Sequence, residues 1–260
     1  MKAVRSVSSA AWLFVLFFGC WQALAALRIL DPLFFPPPTR LLSTLRTLLA
    51  SGEVLREAGR TLTRASAGFA AGAAAGILAA VLVSSWPWLR RATKPAIAVL
   101  YSSPKLTLLP MVMLLFGVNE TSRMLLIGLS SFLLVVIQLS DAIRGVNPDY
   151  VDLAVNYGAS QAMVIRRVYL PACLPQIFTA FRLAFGRSLV MTISIELLSG
   201  QDGLGSMIWS AWQTFAVEKL YVSVMLAGTL GLLFQWLFHW LERRLMPWQR
   251  PDGPWKDQTA

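Results

Sequence analysis

Apolar residues run along this chain in long blocks, with cations, prolines and glycines gathered between them. An α-helix rises 1.5 Å per residue, so about 20 mostly apolar residues cross the roughly 30 Å of hydrocarbon in a bilayer. Six blocks carry that pattern: Ala10 to Leu27, Arg64 to Ser85, Pro95 to Gly117, Met124 to Leu139, Ile177 to Leu198 and Val222 to Trp240. The expected fold class is therefore all-α, a polytopic membrane helix bundle of six transmembrane helices. Ala23-Leu24-Ala25 also resembles a signal-peptidase site, so cleavage of the first block competes with its persistence as a helix. Its apolar run exceeds most signal cores, which favours the uncleaved helix. The second block carries Gly68, Gly72 and Gly76 at four-residue spacing. That repeat lets another backbone approach closely, either within the chain or across a dimer seam. The third is broken by Pro104, Lys105 and Pro110.

Composition agrees with a membrane protein: 56% of the 260 residues are hydrophobic and 14% charged, against about 45–50% and 25% in soluble domains. A disordered chain, a coiled coil and a DNA-binding domain are excluded. The net charge of +10 then reads as topology, because cytoplasmic loops of membrane proteins collect Lys and Arg. With the N-terminus inside, the inner segments hold Lys2 and Arg5; Arg90, Arg91 and Lys94; Arg144, Arg166 and Arg167; and Arg243, Arg244, Arg250 and Lys256. The short outer loops hold Arg123 and Lys219. The first outer segment dissents, with Arg40, Arg46, Arg56 and Arg60. There Pro36-Pro37-Pro38 reads as an extended start and Leu41 to Leu49 as an interfacial amphipathic helix whose arginines reach headgroups. Cys20, Cys173 and His239 offer no disulfide framework and no metal site.

The segment Asp141 to Gln176 is the most informative. Asn147 is placed to cap a helix that opens with Pro148 and Asp149, where a fixed φ and a negative charge both suit the first turn. Val151, Ala154 and Val155 form one apolar stripe, and Gly158 falls where a C-terminal glycine ends a helix. Ser160 starts a second helix. In it Val164, Ile165 and Val168 share a face, Arg166 and Arg167 point away, and Pro171 and Pro175 are expected to stop it before the next span. Such a hairpin is either a docking element or a connecting loop.

The same segment resembles the signature of bacterial binding-protein-dependent ABC importer permeases: an EAA triplet, three residues, a glycine, nine residues, then I-x-L-P. Here Asp152-Leu153-Ala154 precedes Gly158 at that spacing, and Val168-Tyr169-Leu170-Pro171 follows. Tyr157-Gly158-Ala159-Ser160 is close to the usual LGAS. Asp152 replaces the common Glu, Leu153 the first Ala, and Asn156 and Tyr157 stand where a basic residue and Leu are frequent. Leu48-Leu49-Ala50-Ser51-Gly52-Glu53, Pro104-Lys105-Leu106 through Pro110, Phe116-Gly117, Gly203-Leu204-Gly205 and Leu241-Glu242-Arg243-Arg244 to Pro247-Trp248 look like the nitrate, sulfonate and taurine branch of these MetI-like permeases. That branch also serves thiamine-precursor pyrimidines.

The resemblance implies an N-terminal peripheral helix and external segment (1–60), a permease core (61–245) with its coupling loop at 141–176, and a cytoplasmic tail (246–260). It implies partners as well: cytoplasmic ABC ATPase subunits, a periplasmic or lipid-anchored solute-binding protein, a second copy of the permease and membrane lipid, with no nucleic acid. The expected place is the bacterial cytoplasmic (inner) membrane, multi-pass, with both termini inside. The chain has no G-x-x-x-x-G-K-[ST] phosphate cradle. It is thus expected to bind no cofactor and catalyse nothing, leaving ATP and Mg to the partner ATPase. Expected ATPase-coupling residues are Val151, Asp152, Ala154, Val155, Gly158, Ala159, Ser160, Arg166 and Arg167, although basic residues beside a span also simply follow the inside rule.

Ionisable residues inside spans are functional candidates, because lone charge there costs on the order of 2.5–3.5 kcal/mol. Lys105, Arg187 and Glu196 are the candidates for a translocation path, and the two cations would suit a small anion. Arg182, nearer the cytoplasmic end, is expected to snorkel. A secondary transporter or channel would explain the spans and charges without the spaced loop motif. An intramembrane enzyme would need a nucleophile, metal or paired acids at one depth, which this sequence lacks.

Overall fold

A computed structural model describes residues 2–246, and they are helical almost throughout. In chain order the helices are α1 (Lys2–Ala26), α2 (Pro38–Ala50), α3 (Glu53–Ser85), α4 (Pro87–Ser102), α5 (Leu109–Phe116) and α6 (Glu120–Arg144). There follow α7 (Pro148–Asn156), α8 (Gln161–Val164), α9 (Leu170–Ser199), α10 (Leu204–Gln213) and α11 (Val217–Leu245). Among the described residues four helices are long and apolar enough to cross a membrane: α3, α6, the stretch Gln161–Ser199, and α11. The broken pair Pro87–Ser102 and Lys105–Phe116, bent by 92°, makes a fifth crossing if its two halves form one span. The first expected span is described only over Val15–Ala26, a shorter apolar helix, so the sixth span is not counted among the described residues. Pro247, Trp248, Arg250, Lys256 and the rest of the expected tail beyond Met246 lie outside the described residues, as do the side chains of Lys2 and Arg5.

The chain forms two compact units, one of residues up to Thr61 with Glu196–Gly228, the other of Leu62–Ile195 with Thr229 onward. In the second unit α3 lies against α6 along the glycine repeat. A Cβ at Gly72 would overlap the backbone carbonyl of Gly128, and one at Gly68 the side chain of Ile127. The repeat is thus spent on a helix contact inside the chain, where backbone meets backbone at a distance only glycine permits. Phe69, Phe185, Phe234 and Phe238 pack around Ala65 and Leu189 on the other side, with the Phe185 and Phe234 rings stacked at 4.1 Å. The broken span rests its second half, through Leu109, on Leu126, Ile127, Met191 and Ile195.

In the first unit α2 contains the expected Leu41–Leu49 helix, with Leu41 and Leu48 buried. Three of the four dissenting arginines lie beside acids. Arg40 lies 4.0 Å from Glu218, Arg56 3.0 Å from Glu57, and Arg60 3.2 Å from Asp202. These pairs leave the inside rule untouched, because it counts Lys and Arg and not net charge.

Candidate functional site: a helical hairpin and a cation pair

The loop folds as two helices joined by a tight corner. Asn147 accepts a hydrogen bond from the Asp149 amide at 3.0 Å, and Ser160 accepts one from the Met163 amide at 3.4 Å, so each helix is capped where its sequence predicts. Between them Gly158 has φ +78°. Its amide donates to the Val155 carbonyl at 2.8 Å and the Ala159 amide to the Ala154 carbonyl at 3.0 Å. These are the paired reversed bonds of a Schellman corner, which place a residue in the left-handed region that glycine enters without strain.

Burial redistributes the roles expected along the hairpin. Val151 and Ala154 are half-buried, whereas Asp152 and Val155 are exposed. The apolar surface offered outward is carried instead by Tyr150, Leu153, Val155 and Tyr157, the last 85% exposed. Leu153 and Tyr157 are two of the departures from the usual family residues, and an i, i+4 count from Leu153 would have paired them. Ala159 is half-buried, while Ser160, Arg166 and Arg167 are exposed. Val164 is buried, but Ile165 is 56% exposed and does not share its face.

The second helix does not stop at its prolines. A π turn at Ile165–Tyr169 leads straight into α9, with Pro175 inside it, so Gln161–Ser199 is one 39-residue helical run. A proline lacks the amide proton and crowds the carbonyl four residues back. The wider π turn precedes Pro171 and relieves that conflict without ending the helix.

The path candidates separate. Lys105 and Arg187 come together on one aromatic ring: the Lys105 ammonium and the Arg187 guanidinium each lie 5.3 Å from the ring centroid of Tyr101. Lys105 also donates to the Tyr101 carbonyl at 2.9 Å, across the 92° break. Tyr101 itself was not anticipated, although it stands four residues before Lys105. Glu196 is instead a structural anchor. It is fully buried, accepts from Thr61 Oγ1 at 2.8 Å and from the Gly205 amide at 3.1 Å. With Glu57, which accepts from the Gly203 amide at 2.7 Å, and Thr61, which accepts from the Leu204 amide at 2.8 Å, it satisfies the N-terminus of α10. That end carries positive dipole, and two carboxylates offset it. Arg182 is paired with Glu242 at 3.3 Å, and does not simply snorkel.

The sequence profile of the family described as "Binding-protein-dependent transport system inner membrane component" matches residues 72–247. The taurine transport system permease protein TauC of Escherichia coli (strain K12) is 29% identical over 233 residues, covering 88% of this chain and 85% of that protein. The bicarbonate transport system permease protein CmpB of Synechococcus elongatus is 30% identical over 187 residues, covering 72% and 67%. Among solved structures, an amino acid ABC transporter with histidines superposes with a TM-score of 0.65 at 21% identity, over 77% of this chain and 97% of that one.

Proposed function

Because the chain belongs to the binding-protein-dependent transport system inner membrane components, we propose that it is the permease of an ATP-driven importer for a small anion of the sulfonate, taurine or nitrate type. Relatives that carry taurine and bicarbonate support an anion as cargo. The observation that carries the coupling half of this reading is the Gly158 corner: a rigid, capped hairpin that points Tyr150, Leu153 and Tyr157 away from the helix bundle. Exposed aromatic and aliphatic groups on a fixed scaffold suit a groove on a second protein. The hairpin docks on a cytoplasmic ATPase that holds ATP and Mg. Asp152 and the exposed Arg166 and Arg167 supply charged contacts at the rim, and a solute-binding protein delivers the cargo from outside.

In this reading the permease works as a homodimer in the bacterial inner membrane with both termini cytoplasmic. ATP closes the ATPase pair, the two hairpins follow, and rocking of the helices opens the path to alternate sides. Lys105 and Arg187 on Tyr101 attract the anion. The purified chain is expected to hydrolyse no ATP, and hydrolysis stimulated by loaded binding protein is expected only once the ATPase is added. Robust turnover by the chain alone would refute the assignment.

A further inference from the structure

Between α4 and α6 lies a cavity of about 390 Å³, floored by Val83, Ile97, Ala98, Val136 and Ile137. Its volume falls at the small end of ligand pockets, about 300–1,000 Å³. Arg90 and Lys94, one helical turn apart on α4, line it and make no ion pair among the described residues. Asp141 and Arg144 also line it but pair with each other, so their charges cancel and the rim keeps two net positive charges. Ser140 faces the same space from α6. It is 7% exposed, and its hydroxyl has no hydrogen-bond partner among the described residues. A buried hydroxyl without a partner is uncommon in folded proteins and marks a place where a ligand or water completes the bond. Tyr101 closes the far end, and its ring carries Lys105 and Arg187. Positions 90, 94 and 101 fall on one side of α4 at 3.6 residues per turn.

We propose that this cavity binds the transported solute on its way out, and that the solute is an organic anion: a sulfonate-like head held by Arg90, Lys94 and Ser140, with a short apolar body on the aliphatic floor. The inference rests on the permease reading and narrows its cargo. An inorganic anion needs polar groups on all sides, because stripping its hydration without replacement is costly. This floor offers only hydrocarbon. A phospholipid has the right chemistry but is far larger than the space. On the orientation proposed above, Arg90 and Lys94 mark the cytoplasmic mouth, and the cations at Tyr101 lead into it.

The test uses the permease assembled with its ATPase in nanodiscs, with Cys20→Ser, Cys173→Ser and Ala98→Cys as its sole thiol. The alkylation rate of that thiol by N-ethylmaleimide is measured with 1-butanesulfonate, sodium sulfate or 1-butanol added. Butanesulfonate alone is expected to slow alkylation, and Arg90→Gln with Lys94→Gln to raise the concentration for half-protection about tenfold, as loss of two charge contacts predicts. Equal protection by sulfate, or protection untouched by the double substitution, would overturn the proposal. So would protection that tracks phosphatidylglycerol content without added sulfonate, which would make the cavity a lipid site. Disulfide crosslinking of Ala98→Cys between two copies would make it a subunit contact and overturn it equally. In parallel proteoliposomes with the binding protein added, a complex that imports anions yet shows no protection in nanodiscs sinks this site only, whereas one that imports none sinks the permease reading beneath it.

Discussion

The Cα of Gly203 sits so close to the carboxylate of Glu196 that a single added methyl group would overlap both carboxylate oxygens. Glu196 has no room to retreat, being fully buried and hydrogen-bonded to Thr61 and the Gly205 amide. Gly203 also has φ +98°. Strain and loss of the charge-assisted bonds add, so Gly203→Ala should destabilise the protein by roughly 2–4 kcal/mol. Glu196→Gln keeps the shape and should cost less. Thermal unfolding in detergent, with both variants beside the parent, checks the order; equal midpoints would show the latch to be slack.

Gly72 tests the helix contact in the other unit. Gly72→Ala inserts a methyl against the Gly128 carbonyl, which backbone cannot yield without separating α3 from α6. About 1–3 kcal/mol of overpacking is expected, visible as lower expression and earlier thermal aggregation. Gly59→Ala, with open space around its Cβ, is the control and should be at least as stable as the parent, by up to about 1 kcal/mol.

Gly158→Val separates coupling from folding. Nothing lies within 4 Å of a Cβ at this position, so the penalty is backbone strain alone, about 1–3 kcal/mol, confined to the corner. The variant should insert and purify, yet lose ATPase association and uptake together. Asp152→Asn should weaken both to a smaller degree. Wild-type association by Gly158→Val, measured by co-purification, would contradict the docking role.

Leu153→Ser combined with Tyr157→Ser removes exposed apolar groups without touching the buried contacts of the hairpin. Thermal stability should change by less than about 0.5 kcal/mol, as for most surface substitutions. Affinity for the ATPase should fall at least about tenfold, or 1.4 kcal/mol, if these side chains fill pockets on the partner. Binding measured on immobilised permease decides it, and unchanged affinity would move the docking surface elsewhere.

The sequence alone determined the features that depend on near neighbours in the chain. The spans followed from apolar length. The hairpin followed from Asn147, Gly158 and Ser160, whose capping and left-handed preferences act within five residues. The permease likeness followed from spacing. Long-range packing decided the rest. Whether Gly68, Gly72 and Gly76 meet another helix of the same chain or a second copy depends on where α6 lies, and no local signal states that. Glu196 and Lys105 look alike in sequence, each a charge in an apolar run, yet only the fold gives Glu196 the amides of α10 and sets Lys105 on Tyr101. Pro171 and Pro175 ordinarily end helices, yet the run continues through both, with a π turn immediately before α9. Arg40 and Arg60 meet Glu218 and Asp202 only through the fold, because those acids lie far along the chain.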